Sequence, residues 1–417
     1  VKRLILAALF SLSVTQLILA ENWPYWRGPT LDGVSTEKGL PAEWGEGKNV
    51  VWTLPMPGMG CSTPVVWGER MFLTSEDGED VVLLCVSTDG KLLWKHKIGT
   101  GGRKVRGDEG NSATASSTTD GKHVWSFAGS GELCCHTIDG EPVWSVNLQK
   151  EYGKFRTNFG MHSSPLHHGN RIYMQVLHRN GQFVFAFDAA TGKVVWKIDR
   201  AGEGVPGTES PDGYASIQLK QGSNPYLVVH GNDATTGHRL EDGSEIWRVV
   251  DENQQERRDW RFISSPAVSQ DLIVIPTCKN GVTVAVRTDI EGKVAAGGKG
   301  ELWRLKVTTD VPSPLIHDGL VYLCRGEGQI MCIEAKTGKV LYDERGYNSR
   351  HRASPVYADG KIYLTARNGT FSVIDAGPTY KLLSRHKLPD DFAASPAISN
   401  GRIYLRGFKT LYAIGNK

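Results

Sequence analysis

The feature that most constrains this chain is a short phrase that returns from residue 50 to the C-terminus. A clean copy, SSPLHHGNRIYMQVLHRNGQFVFAFDAATGKVVW over 163–196, holds four apolar runs. They are separated by the turn signals His168-Gly169-Asn170, Arg179-Asn180-Gly181 and Ala190-Thr191-Gly192. Short apolar runs between Gly, Asn and Asp read as antiparallel strands joined by tight turns. The Ser-Pro mark that opens the first strand falls at Pro64, Pro165, Pro266, Pro314, Pro355 and Pro396, with degraded copies near Ser116 and Ser216. The aromatic that closes the fourth strand falls at Trp52, Trp94, Trp144, Trp196, Trp247, Trp303 and Tyr342, and Ser384 holds the remaining slot. Both counts give eight units, and their period of roughly 40 to 52 residues is that of four-stranded propeller blades.

The ends show whether the array is open or closed. The closing strand at 49–52 has no opening strands before it, and the last unit stops at 411–414 without a closing strand. Each supplies what the other lacks. The expectation is therefore an all-β, eight-bladed propeller of four-stranded antiparallel blades, one domain over 50–417. Its ring is closed by an N-terminal outer strand completing the last blade. An open solenoid would need polar caps, and a pair of β-sandwiches would not keep so regular a phase.

Length alone, 417 residues, would allow two or three domains, but the repeat takes up nearly everything after residue 50. The first twenty residues differ. Lys2-Arg3, an apolar stretch and an exit at Ala20 read as a secretory signal peptide over 1–20. With Val1 read as a non-standard start codon, this predicts a bacterial exported protein, periplasmic or secreted. Ser11, Ser13, Thr15 and Gln16 make the stretch too polar for a membrane anchor. Residues 21–49 carry Trp23, Tyr25, Trp26 and Trp44. So many aromatics predict a lead-in packed on the propeller, plugging or covering an edge. Once Lys2 and Arg3 are set aside, basic and acidic residues nearly balance, which gives no long-range pull toward nucleic acid. Seven scattered cysteines are a poor disulfide framework and read as buried thiols.

The closing aromatics recur around the ring, so they read as architecture that buries apolar area at each seam. The expanded hairpin at 289–300 in the fifth blade, with its four glycines, reads as a mobile loop. Four connections, 95–115, 145–164, 197–215 and 248–265, are longer than the rest. All run from an outer strand to the next inner strand, so they emerge on one face. Residues just ahead of the opening marks should stand at the mouth of the central channel. That rule selects Asn111, His162, Tyr214, Trp260, Arg261, Arg350, His351 and Asp391, to which the first loop adds Arg106. They would form a polar, partly basic funnel able to hold an anion, a peptide or a cofactor; the plainer alternative is solvated loops that pair charges among themselves. A carboxylate pair such as Glu109 with Glu209 could approach across it. No metal-ligand spacing, phosphate loop or nucleophile elbow is present, and no catalytic or metal residue is assigned.

The phrase Ala186-Phe187-Asp188-Ala189-Ala190-Thr191-Gly192-Lys193-Val194-Val195-Trp196 resembles the pyrroloquinoline-quinone-type propeller repeat, with echoes at 91–94, 141–144 and 337–342. The lead-in Trp23-Pro24-Tyr25-Trp26-Arg27-Gly28-Pro29 with Asp32-Gly33-Val34 looks like the opening of a secreted, BamB-like branch. That resemblance implies a non-catalytic, monomeric scaffold without cofactor. It would present long loops on one face to a protein or a cell-envelope component. The alternative it implies is a quinone- and calcium-dependent alcohol or sugar dehydrogenase, in which the funnel holds both groups, an Asp acts as base and adjacent cysteines lie near the cofactor. Cys134-Cys135 is the adjacent pair here, but it lies inside a third strand. Strand neighbours there point to opposite faces, a geometry that disfavours their bonding.

Overall fold

The computed structural model describes residues 21–101, 110–204, 208–252 and 259–416. The leader expected at 1–20 and Arg106 lie outside them. Eight sheets stand around one axis. Their inner strands, in chain order from blade 1 to blade 8, are Val65–Trp67, Thr118–Thr119, Leu166–His168, Gln218–Lys220, Ala267–Val268, Leu315–His317, Val356–Ala358 and Ala397–Ser399.

Blade 3 shows why the repeat folds this way. Its strands Leu166–His168, Arg171–His178, Gly181–Asp188 and Val194–Asp199 pair in that order. Side chains along a strand alternate between faces, and here both faces of the middle strands are apolar. Ile172, Met174 and Val176 pack with Trp125 and Phe127 of blade 2. Tyr173, Leu177 and Val184 pack with Ile217, Leu227 and Val229 of blade 4. Each blade is thus the core of two seams. The same alternation separates the adjacent cysteines: Cys134 packs with blade 1 and Cys135 with blade 3, and all seven cysteines are free thiols. In blades 6, 7 and 8 the turn between first and second strands uses two positive φ values, which Asp318-Gly319, Asp359-Gly360 and Asn400-Gly401 supply.

The outer aromatics act at the seams. Trp52, Trp94, Trp144, Trp196 and Trp303 donate their indole N–H to Thr88, Ile138, Ala189, Leu240 and Ala335 of the next blade at 2.8–3.1 Å. The turn glycine of that next blade lies flat on the ring: a Cβ at Gly192 would come within 2.5 Å of Trp144. Two slots differ. Blade 7 has Ser384 where a tryptophan is due, and Trp44 of the lead-in takes the seat. Trp44 lies 6.1 Å from Tyr363; Trp52 lies 6.1 Å from Tyr404, and Trp196 lies 5.9 Å from Tyr173. Trp247 in blade 4 is covered differently. Gly292–Val294, inside the stretch expected to be a mobile loop, pairs parallel with Glu245–Val249 as a fifth strand. Its Val294 joins the Trp247 cluster. The glycines there shape turns around a paired strand, so the mobile-loop expectation is corrected.

The ring closes as its ends require. Val50–Pro55 pairs antiparallel with Thr410–Ile414, in the register Val50↔Ile414, Trp52↔Ala413, Thr53↔Tyr412 and Leu54↔Leu411. The lead-in crosses the channel at the inner-strand ends remote from the opening marks. Trp23 bridges to Val66, Val34 to Tyr357, and Arg27 donates to the Pro314 carbonyl at 2.8 Å. Among the described residues no helix is long and apolar enough to cross a membrane.

Candidate functional site

With one end of the channel crossed by the lead-in, the other opens as a cavity of about 720 Å³, with Trp26 among the residues that line it. That is the size of a small-molecule site. Its wall is built at two levels. Lower down, each inner strand contributes the hydroxyl residue ahead of its first strand: Thr63, Ser116, Ser164, Ser216, Ser265, Ser313, Ser354 and Ser395. Seven links run around this ring. The backbone N–H of Thr63 donates to Ser116 Oγ, that of Ser116 to Ser164, and so on to Ser354 and Ser395, at 2.9–3.0 Å.

Above the hydroxyls, the outer-to-inner connections bring His162, Tyr214, Trp260, Arg261 and Arg350 together around the cavity. Each of these residues lies a few positions ahead of an inner strand, which places it at the rim of the cavity. Arg261 is held by Glu209 at 3.0 Å and lies 4.6 Å over the Phe159 ring. Burial pushes the His162 imidazole down to about 4, so it is neutral at pH 7. Tyr214 OH reaches Asp212 at 3.5 Å, and Arg179 pairs with that carboxylate at 3.1 Å. Burial, outweighing Arg179, lifts Asp212 to about 6.

Three of the sequence-selected residues do not line the cavity. Asn111 accepts from Ala113 N at 2.8 Å and donates to Cys61 Sγ at 3.1 Å, so its amide closes its own loop. His351 is buried, its Nδ1 against the Ser349 carbonyl at 2.9 Å and its backbone bridged to Ala366. Asp391 stands behind Arg367 at 3.1 Å. Spacing from the opening mark located the loop end but not which way each side chain turns. Glu209 serves Arg261 and Asn158, and Glu109 lies outside the described residues. Sequence reasoning missed Trp26, Cys61, Cys278, Lys279, Asp310 and Arg367 as cavity residues. Lys279 and Arg367 sit on second-to-third strand turns, which open on the same face as the long connections; that topological rule could have found them. In the sequence the hydroxyl residues show only as the mark that opens each first strand.

The cavity wall carries Arg261, Lys279, Arg350, Arg352 and Arg367 with the carboxylates Asp259 and Asp310; Arg352 pairs with Asp310 and Lys279 with Glu327, each at 3.9 Å. Glu209 and Asp391 brace arginines from behind rather than entering the wall. Among the described residues no group of three His, Cys, Asp or Glu side chains could hold a metal ion.

A family model described as outer membrane protein assembly factor BamB matches residues 79–295 and 287–379. No curated protein matches the chain. Solved structures similar in fold include BamB from Moraxella catarrhalis, 13% identical with a TM-score of 0.62, covering 88% of this chain and 97% of that one. The quinohemoprotein alcohol dehydrogenase from Comamonas testosteroni is 14% identical with a TM-score of 0.71, covering 95% and 81%. A europium-containing methanol dehydrogenase is 12% identical with a TM-score of 0.68, covering 94% and 89%. At these identities the likeness is one of fold.

Proposed function

The chain belongs to the quinone-repeat β-propeller family described as outer membrane protein assembly factor BamB, and on that premise we propose that it is a binding propeller whose funnel takes a small, multiply charged anion. The observation that carries this reading is the wall's composition, five cationic side chains among the lining residues, four of them in ion pairs with carboxylates, around a cavity whose far end the lead-in crosses. A cleft lined by one sign of charge, with low-dielectric walls, concentrates ligands of the other sign. A guanidinium has five donors, so one braced by a carboxylate still has N–H groups to offer. The long connections were expected to face a protein partner. Of their aromatics, Phe159, Tyr214, Trp260 and Phe262 are buried in the walls, and Tyr152 and Phe155 are half-buried against the seam of blades 2 and 3, whereas the anchors of a protein-docking surface stand exposed until a partner covers them. We extend the family's envelope setting to this chain, with cell fractionation as the check.

The test is thermal unfolding with citrate or pyrophosphate against sodium chloride at equal ionic strength. A ligand that binds only the folded form raises stability in proportion to the logarithm of its concentration. The expected result is a rising midpoint with the polyanion that the double variant Arg261→Gln/Lys279→Gln blunts. Equal midpoints in polyanion and chloride would overturn the reading.

The higher TM-scores of the two dehydrogenases favour a second reading, that the funnel holds a quinone cofactor and the chain oxidises an alcohol. The arginines fit the carboxylates of pyrroloquinoline quinone. The donor set among the described residues does not fit a calcium ion beside it, since Asp259 and Asp310 are the only carboxylates of the wall. No catalytic step is assigned on this basis. Incubation with the quinone and calcium, followed by dye-linked alcohol oxidation, separates the readings: turnover supports the enzyme, and binding without turnover supports the binding propeller.

A further inference from the structure

The hydroxyl ring has chemistry that the strand mark alone does not require. Each serine of the seven links uses its oxygen to accept a backbone N–H from the preceding blade. None of these hydroxyls donates to an acceptor among the described residues, and neither does that of Thr63. All eight residues are at least nine-tenths buried as residues, yet all line the cavity. Their protons therefore remain for whatever fills it. A hydroxyl that already accepts an N–H bond is polarised and becomes a better donor in the chain N–H···O–H···acceptor. Bonds from such groups to an ionised acceptor are roughly twice as strong as neutral ones. The charges nearby have the matching sign. The cationic wall stands on the loop side. On the lead-in side, Arg27 is fully buried beside Trp26, its Cζ 5.4 Å from the ring centroid, and its Nε and Nη1 lack partners among the described residues.

We propose that the collar of hydroxyls at Thr63, Ser116, Ser164, Ser216, Ser265, Ser313, Ser354 and Ser395 is a second tier of the binding site, which receives the peripheral oxygens of a small carboxylate- or phosphate-bearing anion lodged on the propeller axis. This inference rests on the anion reading of the funnel. It adds that oxygen acceptors, and not charge alone, are selected. The arginines supply attraction from the loop side. The collar supplies direction, because donors arrayed around the axis can meet a ligand with several outward oxygens and reward a single charged centre far less.

The test is calorimetric titration of the mature protein with citrate and with inorganic phosphate, and with myo-inositol as the uncharged control. Comparison of citrate with phosphate tells which source of oxygens is preferred. Ser116 and Ser313 belong to blades 2 and 6, half a turn apart. The double variant Ser116→Ala/Ser313→Ala is expected to bind the preferred anion at least tenfold more weakly. The Ser116→Thr/Ser313→Thr variant restores the hydroxyls and is expected to stay within threefold of the parent; Thr63 shows that the ring accepts threonine. This rescue separates lost donors from damaged folding. If the parent binds, the Arg261→Gln/Lys279→Gln variant weakens it and the alanine pair does not, the collar is overturned while the funnel reading stands. Should the parent bind neither anion, both fall. Equal binding of myo-inositol would overturn the assignment of an anion.

Discussion

Glu252 is the least comfortable side chain in the ring. It is sealed in blade 4, where Thr235 Oγ1 donates to its Oε1 at 2.5 Å and itself meets His230 Nδ1 at 2.7 Å. Burial lifts the Glu252 carboxyl to about 8, outweighing the Thr235 bond and the Arg200 charge, and the Asp233 charge pushes the same way. Burial likewise takes His230 down to about 3, helped by Arg200. Both groups are thus neutral near pH 7. A carboxyl whose folded value lies above its unfolded one near 4.5 holds a proton that the unfolded chain has lost. Its contribution to stability is fully present below pH 4.5 and drains away as pH rises toward 8. Glu252→Gln keeps the shape and removes the titration. The variant is expected to match the parent near pH 4 and to exceed it at pH 8 by an amount on the order of a few kcal/mol, read from urea midpoints. A parent–variant gap that does not widen with pH would refute this account. Nothing in the sequence marks Glu252, because it follows the outer strand of an irregular blade and meets Thr235 and His230 only when that blade's strands pair.

Elements explain which parts of the fold could be read in advance. The tryptophan seams were legible because each is built from the same local phrase, repeated in phase. Trp44 was not, since the seat it fills in blade 7 belongs to residues more than three hundred positions away. Trp44→Ala empties that seat and is expected to cost about 3 kcal/mol, measured by chemical unfolding. Limited proteolysis should then cut near 36–48 before it reaches the blades. The fifth strand of blade 4 was misread because its glycines look like a loop while its partner lies in the previous blade. Val294 is buried against Trp247. Val294→Asp, which buries a polar group there, should destabilise by about 2 kcal/mol and expose tryptophan to quenchers. If neither changes, the added strand is not holding that seam.

At the scale of the whole molecule, the number of blades and their closure followed from the phase of the repeat and its two unpaired ends. The site followed only in part. Loop ends were found by position, but the direction of each side chain depends on tertiary partners such as Cys61 for Asn111 and Arg367 for Asp391. Removing residues 410–416 should leave Val50–Pro55 unpaired and expose the seam between blades 7 and 8. We expect loss of a single cooperative transition, seen as a lower and broader urea curve than for the parent. A truncated chain that unfolds as sharply as the full one would show that the ring does not depend on its join.

That join also sets an order of events in the cell. The strand Val50–Pro55 leaves the ribosome about 360 residues ahead of its partner Thr410–Ile414. The ring therefore cannot be completed until the eighth blade has been made. The earlier blades wait beside an unpaired Val50–Pro55 until that partner emerges, so closure comes last in the folding of the ring.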